Sequence, residues 1–173
     1  MDMHRSSFLT MKKFKEDYLK NYNNLKILDV GSYDSSESSF NYGILFNEEN
    51  WEYVGMDLKE GPNVDLVVSD MYNWAEISDE SFDIVISGQA FEHMEFFWLV
   101  IKEISRVLKF GGYSCIIAPS SGPVHKNPVD CYRFTSDGMR KIAEYANLEI
   151  IESYSNIRQE SGPWFDSVLI AKK

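Results

Sequence analysis

The stretch "KILDVGSYDSSESSF", Lys26 to Phe40, decides how this chain is read. Its first half is an apolar run, Ile27, Leu28 and Val30, interrupted by Asp29 and closed by Gly31. That is the pattern of a strand covered on both faces that enters a glycine turn, the opening of a nucleotide-gripping βα unit. The second half lacks the usual signature. Tyr33 and Ser35 stand where later glycines would let the backbone cradle a pyrophosphate, and no P-loop lysine follows. Either the turn serves a nucleotide of another kind, or it is a plain strand end. The ends of the other strands must decide.

Short β-rich runs recur along the chain at 25–31, 51–57, 64–70, 81–88 and 113–119, ending in Gly, Asp or Pro. Between them, apolar residues at 96, 97, 100, 101, 104, 107 and 108 line one face of a helix expected over 95–110, with Gly111-Gly112 as its stop. A second helix is expected over 135–146, with Thr135 as N-cap and Asn147 near its end. A helical stripe also spans Phe8 to Tyr22. The last two runs, "LEIIESYSNI" and "PWFDSVLIAKK", follow each other without a helix, so they pair antiparallel. The pattern predicts an α/β, Rossmann-like three-layer sandwich. One link strains it: only residues 58–63 join the second and third strands, short for a parallel crossover. A very short third strand or an irregular sheet edge would resolve this.

In an open parallel sheet, ligands bind beyond the carboxyl ends of the strands. Here those ends carry Asp29-Val-Gly31, Asp57, Asp70 and Ser87-Gly88-Gln89. A carboxylate at the end of the second strand matches the paired hydroxyl donors of a ribose. Asp70 suits an adenine amino group. Gly31 admits close approach of a ligand to the backbone. A row of carboxylates without a phosphate cradle favours an adenosine that is neutral or cationic, and S-adenosylmethionine fits that description.

Composition narrows the partners. The chain has 173 residues and a formal net charge of −10, with basic residues scattered apart from Lys12, Lys13 and Lys15. Such a surface disfavours nucleic acid, whose binders cluster Lys and Arg against phosphates. No apolar run reaches the roughly 20 residues that span a bilayer, and the start lacks a secretory apolar segment, so the protein is expected off the membrane and in the cytoplasm. Cys115 and Cys131 fall in no metal-ligand spacing and read as free thiols, and no metal is expected. The oligomeric state is left open.

The segments "ILDVGSYD", "YVGMDL", "VVSDMYNW", "SFDIVISGQAFEHM", "EISRVLKFGGYSCIIAPS" and "HKNPVDCYRFTSDGM" together resemble the class I S-adenosylmethionine-dependent methyltransferases, of the methyltransferase-11-like group. The resemblance implies a mostly parallel seven-stranded sheet with an antiparallel last strand. The length suits one domain, so a single methyltransferase domain is expected over 1–173, and its helical start, 1–24, is a candidate lid over the cofactor. Carried over, Asp29 and Gly31 line the methionine end, with Ser32 in the same cofactor-binding set. Asp57 holds the ribose beside Leu58, Asp70 and Met71 meet the adenine, and Gly88 and Gln89 lie near the sulfonium.

Methyl transfer to a hydroxyl needs alignment and a proton acceptor. In "GPVHKNPVDCYRF", 122–134, His125 is the expected general base, Asp130 its orienter or substitute, and Arg133 a clamp for an anionic group. The same residues also read as a structural Asp130–Arg133 pair that pins the loop. His93 is a substrate-facing candidate or a satisfied histidine at a helix end. Phe91, Phe96, Phe97 and Trp98 read as core. "SGQA" after the fourth strand is not the signature of amino methylation on bases, and no Pro-Cys motif suggests attack on cytosine. By resemblance, the "H..P.DC.RF" loop implies O-methylation of a sugar or other small molecule. A non-catalytic cofactor-binding module and an NAD-dependent oxidoreductase are the rival readings.

Overall fold

The computed structural model describes residues 5–34, 41–156 and 164–173. Seven strands form one sheet: β1 (Leu25–Val30), β2 (Trp51–Asp57), β3 (Leu66–Val67), β4 (Phe82–Gly88), β5 (Leu108–Pro119), β6 (Glu149–Asn156) and β7 (Asp166–Lys172). Their order is β3-β2-β1-β4-β5-β7-β6. β1 to β5 run parallel, while β7 runs antiparallel to both β5 and β6. The chain builds outward from β1 to one edge, then returns to lay β4 on β1's other side. The sheet's switch point therefore lies where β1 and β4 end.

The two faces are covered differently. α2 (Phe97–Val107) and α3 (Ser136–Tyr145) pack on one face, where Val100, Ile101, Ile104, Met139 and Ala143 meet Leu28, Val85 and Ile116. α1 (Arg5–Phe14), followed by a π-helical turn over Lys15–Leu19, covers the other face. There Met11, Phe14 and Leu19 pack on Ile27, Ile84, Ile86 and Cys115. Among the described residues, no helix is long and apolar enough to cross a membrane.

Three boundaries depart from the sequence reading. β3 has only two residues, Leu66 and Val67, which pair with Met56 and Asp57, so the short 58–65 link needs no crossover helix. α2 ends at Val107, and Leu108 already belongs to β5. Gly111 and Gly112 are thus no helix stop. They lie where the pairing with β4 skips from Leu108 to Tyr113, with Gly111 at φ 82° and its N–H donating to Lys173 O. Phe91 is fully buried as expected, but Phe96 and Trp98 are 46% and 38% exposed. Thr135 caps α3 as its sequence predicts, its Oγ1 accepting from Gly138 N, and Asn147 ends it at φ 58°. Ser35 and most of the 155–164 loop lie outside the described residues.

Candidate active site

At the carboxyl ends of β1, β2 and β4 opens a cavity of about 720 Å³. Its lining contains Asp29, Gly31, Ser32, Asp57, Leu58, Asp70, Met71, Gly88 and Gln89, every residue expected to meet the cofactor, together with His93. His125, Asp130 and Arg133 are not part of that lining.

The turn after β1 is built by the backbone. Gly31 N and Ser32 N both donate to Met56 O, at 2.9 and 3.1 Å, folding the chain over the end of β2. Gly31 stands at φ 77°, and a Cβ there would lie 2.6 Å from the Ala90 Cβ. The glycine is therefore required by the close approach of the turn after β4 as well as by its conformation. Ser32 Oγ donates to Asn63 O, and Asn63 Nδ2 returns to Ser32 O, tying this turn to the 58–65 link.

The carboxylates differ in setting. Asp57 accepts from Tyr33 N (3.2 Å) and Leu58 N (2.7 Å), one bond on each oxygen, which leaves acceptor capacity on both for neighbouring hydroxyls. Asp70 accepts from Tyr72 N with one oxygen at 2.8 Å. Asp29 is buried at the cavity floor and accepts from Tyr53 Oη at 2.5 Å. Burial pushes its carboxyl up to about 7, against the opposing effect of the Tyr53 hydrogen bond and with help from the charge of Asp57. Asp34 and Glu95 add further acids, and Lys59 is the lysine in this lining. So acidic a site suits a sulfonium cation and a ribose far better than a pyrophosphate.

Gly88 and Gln89 turn the chain after β4. A Cβ on Gly88 would fall 2.0 Å from the Tyr42 hydroxyl, which itself pairs with Ser7 of α1. Gln89, at φ 57°, donates from Nε2 to Asp166 at 3.0 Å. α1 thereby braces the strand ends from the opposite face. No residue of α1 lines the cavity.

The loop after β5 folds around Asp130. Its carboxylate takes both terminal nitrogens of Arg133, at 2.6 and 2.8 Å, and the His125 N–H at 2.7 Å. The Arg133 pair holds the Asp130 carboxyl well below its ordinary range, so it is ionised at any working pH. Arg133 also donates to Pro123 O and Tyr132 O, so the guanidinium is engaged on both sides. His125 packs edge-on against Trp164 and His93, with ring centroids 4.6 and 4.9 Å away. Burial lowers its imidazolium below the ordinary value. His93 turns Nδ1 to Val129 O at 2.5 Å.

Sequence reasoning passed over Glu92. Its side chain is fully buried, and burial pushes its carboxyl up to about 8. The dipeptide Glu92-His93 was visible, but the loop that covers it arrives some thirty residues later. Tyr42 was missed as well, a buried tyrosine in a connection with no periodicity to mark it.

Residues 33–116 match a family model described as a methyltransferase domain. No curated protein matches the chain by sequence. Solved structures match its fold. The 1,6-didemethyltoxoflavin-N1-methyltransferase of Burkholderia thailandensis, solved with its substrate and S-adenosylhomocysteine, superposes with a TM-score of 0.72 at 16% identity, over 98% of this chain and 77% of its own. A SAM-dependent methyltransferase from Archaeoglobus fulgidus gives 0.66 at 18%, over 96% and 95%. The cyclase SpnF gives 0.71 at 14%, over 95% and 80%. At such identities these likenesses establish the fold alone, and a cyclase among them shows that one fold serves more than one reaction. Residues 33–116, set on this sheet order, therefore carry a methyltransferase domain whose cofactor is S-adenosylmethionine.

Proposed function

We propose that the enzyme methylates a small-molecule acceptor at a hydroxyl, on a sugar or a related polyhydroxylated metabolite. The observation that carries this reading is the rest of the cavity lining. Beyond the residues assigned to the cofactor, it offers Asn41, Glu95, Asn127 and His93. These amide, carboxylate and imidazole groups pair readily with several hydroxyls. A cavity of about 720 Å³ falls within the usual range for small-molecule sites.

In this reading Asp57 takes the ribose hydroxyls, Asp70 and Met71 the adenine, and Asp29, Gly31, Ser32, Gly88 and Gln89 the methionyl end, with Leu58 at the rim. S-adenosylmethionine supplies a methyl group already activated by its sulfonium. The protein's share is to orient the acceptor and receive its proton. His93 is the histidine in the lining. Its Nδ1 lies 2.5 Å from Val129 O, a contact that orients the ring. His125 and Asp130, expected as the catalytic pair, act through it: His125 packs on its ring, and Asp130 with Arg133 holds the loop in place.

An acceptor screen with isotopically labelled methyl donor tests the reading. Label is expected in free sugars, nucleotide sugars or similar polyols. Transfer confined to amines or carboxylic acids would overturn it.

A further inference from the structure

Glu92, His93 and His125 form a cluster that the methyl-transfer reading does not fully use. One donor atom from each lies within 4.8 Å of the others. Glu92 is fully buried, and neither of its carboxylate oxygens has a hydrogen-bond partner among the described residues. The same holds for His93 Nε2 and for both ring nitrogens of His125. His93 Nε2 faces Glu92 Oε1 at 3.6 Å. With the ring hydrogen on Nδ1 toward Val129 O, Nε2 presents a lone pair to that buried carboxyl group, and either a proton or a metal cation between them joins the two.

We propose that Glu92, His93 and His125 form a site for one divalent transition-metal ion of the zinc class. Two imidazoles and one carboxylate suit such an ion better than magnesium or calcium, which prefer all-oxygen ligands. The surroundings have the form that metal-bound histidines need. His93 is oriented by a backbone carbonyl, and His125 Nδ1 stands 3.5 Å from Asp130 Oδ2, a carboxylate behind the ring. Arg133, the other cation facing Glu92, is matched by Asp130. Donors around tetrahedral zinc stand roughly 3.3 Å apart, so the cluster, within 4.8 Å, must close by up to about 1.5 Å at its widest.

The ion ties the loop after β5 to the turn after β4. That contact is already begun, since Glu92 O accepts from Cys131 N at 2.7 Å and Tyr132 N at 3.3 Å. Three protein ligands leave one position open, as in catalytic rather than structural zinc sites.

The test uses the full chain, stripped with a chelator and then titrated with Co²⁺ and with Zn²⁺. The third histidine, His4, serves as control. One equivalent of Co²⁺ should bind with the visible absorption of a four-coordinate ion. Glu92→Gln and His125→Ala should each weaken binding at least about tenfold, while His4→Ala should not. Each variant is checked by circular dichroism and by S-adenosylhomocysteine binding, which keeps failure of the metal site separate from failure of the methyltransferase reading. Absence of stoichiometric binding, or equal binding by wild type, Glu92→Gln and His125→Ala, overturns the proposal.

Discussion

Gly31 sits at φ 77°, with the Ala90 Cβ filling the space its own side chain would need. Gly31→Ala combines left-handed strain with overpacking, and should cost about 2–4 kcal/mol in urea unfolding. A cost near zero would show that the turn relaxes freely. Asp29 makes a second residue-scale prediction. Its folded carboxyl is pushed up to about 7 from an ordinary 3.8, so the folded protein binds this proton more tightly than the unfolded chain. The resulting stability is present below about pH 4, is lost as pH rises to about 7, and is flat above that. Asp29→Asn should remove this slope from urea midpoints taken across the window. The sequence showed which residues end the strands, because strand ends are local. It could not show that Asp29 is buried beneath Tyr53, or that Glu92 is sealed by a loop from after β5. Both depend on chain brought in from elsewhere.

At the scale of elements, α3 was legible down to its cap because capping is a contact within four residues. Thr135→Ala removes the bond to Gly138 N and should cost about 1 kcal/mol, read from the shift in urea midpoint. The junction of α2 and β5 was not legible. Leu108 continues the apolar stripe of α2 and is also a buried position at the start of β5, so periodicity cannot say where one ends. What decides is Gly111 pairing with Lys173, at the far end of the chain. In sequence, the loop that follows β5 fits catalytic apparatus and a pinned loop equally. Its geometry shows Asp130 surrounded by Arg133 and the His125 N–H, with His93 nearer the cavity.

For the whole molecule, a central run of apolar strands flanked by amphipathic helices fixes an α/β sheet, and two final strands without a helix between them force an antiparallel closure. That part of the fold follows from local pattern and connection length. The thin edge at β3 and the brace from α1 through Ser7 and Tyr42 do not, because they arise from packing between distant segments. The sheet gathers at its switch point all nine residues expected to meet the cofactor, drawn from four separate stretches of sequence. The central claim is that this acidic mouth grips an adenosine without phosphates, with Asp57 on its ribose. Calorimetric titration of wild type and Asp57→Ala with S-adenosylhomocysteine, and of wild type with NAD, tests it most directly. The account predicts one site for S-adenosylhomocysteine, weakened roughly tenfold or more by Asp57→Ala, as expected for lost hydrogen bonds to a charged group, and no site for NAD. Unchanged affinity in Asp57→Ala, or binding of NAD in place of the homocysteine nucleoside, would contradict it.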